Sequence, residues 1–153
     1  MDRTDRRILS ALQEDASIPI AALAETVALS ASACWRRVQL LEEAGIIKAR
    51  VAILDRTKIN VAVTVFVAVR TNQHNSEWLG RFAKVVARIP EIVEVYRMSG
   101  EVDYLLKLVV PDIAAYDRVY KRLIEGVELF DVSSSFAMEQ MKATTVLPLD
   151  YAP

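Results

Sequence analysis

The sequence predicts an α+β fold in two parts, a small helical one followed by a mixed one, and three observations carry that expectation. Apolar residues recur at helical spacing through the first 45 residues. From Ile46 onward the pattern changes to β-branched runs separated by two amphipathic stretches. An apolar share of 53% with 25% charged residues describes a chain with a real core, and 153 residues suffice for one ordinary domain or two small ones.

The elements follow in order. "TDRRILSALQED" places Ile8, Leu9 and Leu12 at helical spacing, with Thr4 or Asp2 able to cap its start. "PIAALAETV" is a second helix, started by Pro19, with Leu23, Ala24 and Val27 on one face. After the short turn "ALS", Ser30 caps a third helix, "ASACWRRVQLLEEA", which stops at Gly45. Helices this short must pack on one another to persist. "IIKARVAIL" reads as a short strand pair or wing, and "DRTKIN" as a connector. "VAVTVFVAVR" is then a strand, and "SEWLGRFAKVVARI" a helix with Trp78, Phe82, Val85, Val86 and Ile89 inward. "EIVEVYRM" and "DYLLKLVV" are strands, "DIAAYDRVYKRLIEG" is a helix opened by Asp112, and "VELFDVSSSFAME" holds a final strand. "KATTVLPL" is a candidate short extra strand. The order β-α-β-β-α-β is the split βαβ, ferredoxin-like pattern. The expected domains are 1–54 for a winged helix-turn-helix, 55–60 for a connector and 61–153 for the ferredoxin-like part.

Several function classes lose support at this level. No apolar run reaches the roughly 18 residues of a membrane span, and "MDRTDRRILS" lacks the apolar centre of a secretory signal. One cysteine, Cys34, rules out an internal disulfide framework and fits a reducing cytoplasm. It lies in phase with Val38 and Leu41, so it reads as a small core residue rather than a reactive thiol, despite Arg36 and Arg37 nearby. The single histidine, His74, sits in the polar loop "RTNQHNSE" with no cysteine near it, so neither a Cys–His pair nor a metal site is expected. Net charge is −1, divided as +1 over residues 1–60 and −2 over 61–153, so no global basic field draws the chain to nucleic acid. Position has to carry that argument.

On the third helix Cys34, Val38 and Leu41 form the core stripe, while Ser32, Arg36, Gln39 and Glu43 fall opposite, flanked by Trp35 and Arg37. Arginine forks match guanine or phosphate oxygens and glutamine pairs with adenine, and the helix-turn-helix spacing sends the second helix of the pair into the major groove. Glu42 and Glu43 leave residues 30–44 without net charge, so a merely solvated face competes with this reading; Lys48 and Arg50 tilt it towards DNA. In "MSGEVDYLL" Gly100 permits a positive φ and Ser99 can bond backbone amides, which is all a hairpin needs. The same turn could also receive a small zwitterion, its amides holding a carboxylate and Asp103 an ammonium group.

The chain resembles the leucine-responsive and asparagine-activated regulators, the Lrp/AsnC family, over nearly its whole length. Three collinear stretches carry the resemblance: "DRTDRRILSALQED", "LSASACWRRVQLLEEAGII" and "SGEVDYLLKLVVPDIAAY", the last close to the family's S-G-[DE]-x-D-Y-L-L pattern. The resemblance implies a transcriptional regulator, not an enzyme, with no cofactor and no metal. It would bind double-stranded DNA through Ser30, Ser32, Trp35, Arg36, Arg37, Gln39 and Lys48. An amino acid or related metabolite would bind at Ser99, Gly100, Glu101, Asp103 and Tyr104. It further implies a cytoplasmic homodimer that can close into an octamer of four dimers. The chain departs from the family in carrying "SASAC" where S-P-T-P-C is frequent, Ala28 where a glycine is common, and Glu101 for the commoner Asp. Two alternatives remain: a small dimeric ferredoxin-like enzyme, and a metabolite sensor without direct DNA contact.

Overall fold

The Asp2 carboxylate starts the first helix by accepting from the Asp5 amide at 2.8 Å, while Asp5 accepts from the Asp2 amide at 3.0 Å. This reciprocal capping box satisfies two donors that α1 (Arg3–Glu14) would otherwise leave open. Pro19 precedes α2 (Ile20–Val27), which ends on Ala28 in the left-handed region at φ 58°. Two residues later Ser30 accepts from the Ala33 amide at 3.3 Å and begins α3 (Ala31–Glu43). Gly45 takes φ 70°, which lets the Ile46 and Ile47 amides turn back onto the Leu41 carbonyl and close the helix end. Ile8, Leu9, Leu23, Ala24, Val27, Cys34, Val38 and Leu41 form the buried cluster among these helices. Arg7 donates to the Thr26 carbonyl at 2.6 Å, where the end of α2 lacks intrahelical donors.

The computed structural model describes residues 1–153 as two units, Met1–Ile53 with Met141–Pro153, and Leu54–Gln140. In the first unit the stretch read as a wing makes no strand pair within the chain. Lys48 to Leu54 form neither helix nor ladder within the chain, and Val51 and Ile53 are 75% and 74% exposed. A strand pair needs a reversal, and "IIKARVAIL" offers no Gly, Pro, Asn or Asp to make one before Asp55. The candidate extra strand "KATTVLPL" is absent for a related reason. Its Leu147 amide and carbonyl pair with the Gln13 side chain, at 2.7 and 3.2 Å, rather than with another strand. A short 3-10 turn, Leu149–Tyr151, follows, and Arg6 donates to the Ala152 carbonyl at 2.8 Å. Residues 141–153 thus belong with the helical unit, whereas the sequence reading assigns them to the second domain.

The second unit opens with the expected connector. Asp55 accepts from the amide and hydroxyl of Thr57, and Asn60 takes a positive φ of 59°. Then come β1 (Val63–Arg70), α4 (Ser76–Ala87), β2 (Ile92–Arg97), β3 (Tyr104–Val110), α5 (Ile113–Gly126) and β4 (Asp131–Phe136). The four strands form one antiparallel sheet in the order β2-β3-β1-β4, as the split βαβ pattern requires. Strand alternation sorts the sheet's two faces. Val65, Val67 and Val69 of β1 and Tyr104, Leu106, Leu108 and Val110 of β3 are buried with Trp78 and Phe82 of α4 and Val119 and Leu123 of α5. The other face carries no helix and shows Phe66, Leu105, Lys107, Val109 and Tyr96.

Candidate functional site

The helical unit turns three of the seven predicted DNA-binding residues outward on one side of α3. The core stripe falls on Cys34, Val38 and Leu41, all buried, so Ser32, Trp35 and Arg36 are turned outward, with Trp35 56% exposed. Burial raises the Cys34 thiol above its ordinary pKa, as expected for a small core residue. Ser30 is committed to the helix cap, and Lys48 is exposed beyond the helix end. Two predicted readers are otherwise engaged. Arg37 donates from Nη1 to Asp2 and to Asp5, at 2.7 Å each, and so ties α3 to the start of α1. The capping hydrogen bond from the Asp5 amide, with the Arg37 charge behind it, holds the Asp2 carboxyl below its ordinary range. The Gln39 amide donates to Glu42 at 3.1 Å, and the second oxygen of Glu42 accepts from Arg50 at 2.9 Å. Sequence spacing puts Gln39 on the outer face and, three residues on along the same helix, Glu42 within reach of it; the Arg50 bond to Glu42 is what spacing does not foresee.

In the second unit the stretch 98–103 joins β2 to β3, and Gly100 takes φ 118°, a conformation that a side chain would strain. The Met98 amide donates to the Asp103 carbonyl at 2.8 Å and the Asp103 amide to the Val69 carbonyl at 3.0 Å. Between them the amides of Ser99, Gly100, Glu101 and Val102 make no hydrogen bond within the chain. Ser99, Gly100 and Glu101 are exposed.

Asp103 and Tyr104 have partners outside the turn. The Asp103 carboxylate accepts from the amide of Thr71 at 2.8 Å, tying this turn to the loop that follows β1. The Tyr104 ring lies in the core against Phe82 and Trp78, with centroids 4.7 and 5.6 Å apart. Around them, Thr71 accepts from the Gln73 amide at 3.0 Å, Gln73 donates to Glu128 at 3.1 Å, and the Trp78 indole donates to the Glu128 carbonyl at 2.7 Å. Thr71, Gln73 and Glu128 escape sequence reasoning. Only the β1–β3 pairing brings residue 71 beside residue 103, and their separation in the chain carries no local signal. His74 belongs to the same loop and is exposed. No three His, Cys, Asp or Glu side chains come together as metal ligands, and no helix is long and apolar enough to cross a membrane.

Residues 1–48 match the family model for a winged helix-turn-helix DNA-binding domain, and residues 64–147 match that for the Lrp/AsnC ligand binding domain. The chain belongs to the Lrp/AsnC family. An AsnC family transcriptional regulator from Agrobacterium tumefaciens has a crystal structure that superimposes with a TM-score of 0.97 at 61% identity, covering 100% of both chains. The glutamate uptake regulatory protein of Zymomonas mobilis is 50% identical over 97% of this chain and 91% of its own. A Neisseria meningitidis transcriptional regulator, solved as a complex with L-Met, superimposes with a TM-score of 0.93 at 35% identity over 98% of this chain and 97% of the other. This member of the Lrp/AsnC family is therefore a DNA-binding transcriptional regulator, and its second unit is the family's ligand-binding domain.

Proposed function

We propose that α3 reads the major groove of a specific operator and that an amino acid or a related metabolite, held at the β2–β3 turn, modulates that binding. The observation that carries the reading is the division of labour on α3: a buried Cys34–Val38–Leu41 stripe fixes the helix, while Ser32, Trp35 and Arg36 stand outward on a cap-defined start. Arg36 supplies the fork for a guanine or a phosphate, and Ser32 and Lys48 suit phosphate contacts that fix register. Arg37 acts through α1 rather than on DNA.

At the other site the four free amides of residues 99–102 suit a carboxylate. Tyr104 shapes the turn from behind, and Asp103 accepts from the Thr71 amide through Oδ2 alone, so its other oxygen and exposed Glu101 are the acids of the turn open to an ammonium group. The Neisseria relative's complex with L-Met supports an amino acid as the ligand class. Two copies would pair through the helix-free sheet face, where Phe66, Leu105 and Val109 are spread over β1 and β3. Pairing holds two reading helices about 34 Å apart, one DNA turn, and dimers of this kind can assemble further into a ring. On this reading the chain carries no catalytic step and works in the compartment that holds its DNA, the cytoplasm.

Fluorescence anisotropy tests this reading. The full chain is titrated onto the duplex upstream of its own gene and onto a scrambled duplex across a salt series, then with single amino acids added. Preferential binding that weakens steeply with salt, and that shifts with one amino acid, is the expected result. Equal affinity for both duplexes removes that promoter as a target, and no binding at any salt favours a sensor without DNA contact.

A further inference from the structure

Glu42 is the one carboxylate on α3 that both of its neighbours' donors depend on. Its Oε2 accepts from the Gln39 amide nitrogen at 3.1 Å and its Oε1 from the Arg50 guanidinium at 2.9 Å. These three side chains, with Trp35 and Val38, line a cavity of about 410 Å3 in the helical unit. A carboxylate only accepts hydrogen bonds, so the Gln39 amide has to turn its NH2 group towards Glu42 and its carbonyl oxygen away. A free glutamine offers either end to a base. This one is restricted to leading with its acceptor.

We propose that Glu42 is a positioning residue that sets the base preference of α3, by fixing the Gln39 amide so that its oxygen meets an exocyclic amino group, adenine N6 or cytosine N4. Those are the two donors that bases present in the major groove. The same carboxylate holds Arg50 back from phosphate. Arg37 is held likewise by Asp2 and Asp5, which leaves Arg36 and Lys48 as the cations of this region without an acid partner. Acidic restraint of this kind lowers affinity for DNA at large while sharpening choice among sequences, because phosphate attraction is blind to sequence and a fixed amide is not. It also accounts for Glu42 standing on a helix that approaches a polyanion.

The inference rests on the reading of α3 as the DNA-reading helix, and the experiment separates the two. The full chain first selects its preferred duplex from a random library, and each base pair of that duplex is then substituted in turn. Gln39→Ala flattens discrimination at one base pair per half-site, which locates the contact. Glu42→Gln keeps the side chain's shape but lets the amide face either way. We expect it to cut discrimination at that same base pair about tenfold, the equivalent of about 1.4 kcal/mol within the range of one good base contact. At the same time it raises affinity for unrelated duplexes and steepens the log–log salt dependence by about 0.9, one added phosphate contact. Arg50→Ala in the Glu42→Gln background returns the salt slope to its starting value and leaves the discrimination low.

Glu42→Gln with wild-type discrimination at the Gln39 base pair overturns the proposal, as does a Gln39→Ala variant that flattens no position. A purely structural Glu42 lowers thermal stability and affinity together without moving base preference, and that pattern overturns it too. A selection that enriches no sequence at all removes the α3 reading itself, and the proposal with it.

Discussion

Replacing Asp103 distinguishes a residue that builds the turn from one that touches the ligand. Its carboxylate is the partner of the Thr71 amide, at 2.8 Å, and Thr71 is only 7% exposed. Asp103→Ala leaves that amide without a partner in a place water reaches poorly. Hydrogen bonds to charged groups contribute about 1.5–3 kcal/mol, and an orphaned buried donor costs about 1–3 kcal/mol, so we expect a loss of about 2 kcal/mol. Asp103→Asn keeps an acceptor oxygen in the same position and gives up only the charge, for a loss of about 1 kcal/mol or less. In a unit of this size each kcal/mol moves the melting temperature by about 4–8 °C, so thermal unfolding followed by circular dichroism resolves the two variants. The functional readout runs beside it. Asp103→Asn keeps the amino-acid response of DNA binding, whereas Asp103→Ala loses it together with stability. An Asp103→Ala protein that unfolds within about 0.5 kcal/mol of the parent refutes the structural assignment. So does a stable Asp103→Asn protein that no longer responds, because Asp103 must then contact the ligand through its charge.

The remaining predictions concern stability and its dependence on pH. Ala28 holds φ 58° and ψ 49° at the end of α2, a conformation that costs a side-chain-bearing residue about 1–2 kcal/mol. Ala28→Gly therefore stabilises the helical unit by about 0.5–1 kcal/mol in a urea titration, after the entropy that glycine adds to the unfolded chain. Phe82, 1% exposed and stacked on Trp78 at 5.0 Å, leaves a large cavity when truncated, so Phe82→Ala costs the second unit about 3–5 kcal/mol by the same measurement. Glu94 pairs with Lys107 at 2.7 Å and also accepts from Tyr96, and the Lys107 bond is the larger cause of its lowered pKa. A depressed carboxyl stabilises the fold above its ordinary 4.5 and loses that contribution as pH falls through the lower folded value. The stability difference between the parent and Glu94→Gln is thus small but present at neutral pH and vanishes in acid, and a difference that grows in acid contradicts the ion pair.

The parts of this fold that were legible in the sequence are those settled by local chemistry. Ser30, Asp2 and Asp112 mark helix starts because capping satisfies donors within one turn, Pro19 marks one because its fixed φ suits a helix entry, and the β1 and β3 burial follows from alternation alone. The stretch read as a wing shows the limit. β-branched residues state that a stretch can be a strand, but only a partner makes it one, and no turn between Ile46 and Leu54 supplies that partner. The sites were legible as addresses and not as arrangements. Helical spacing put Arg37 on the flank of α3, but Asp2 and Asp5, more than thirty residues away, decide where its charge goes. The family motif picked out Asp103 and Tyr104, and the structure gives both a physical reason to be there that does not require the ligand: one closes a loop from behind, the other fills the core. A motif residue can thus belong to a binding turn by holding its amides in place. In this chain the four amides between Met98 and Asp103 are what that support leaves without a partner in the chain.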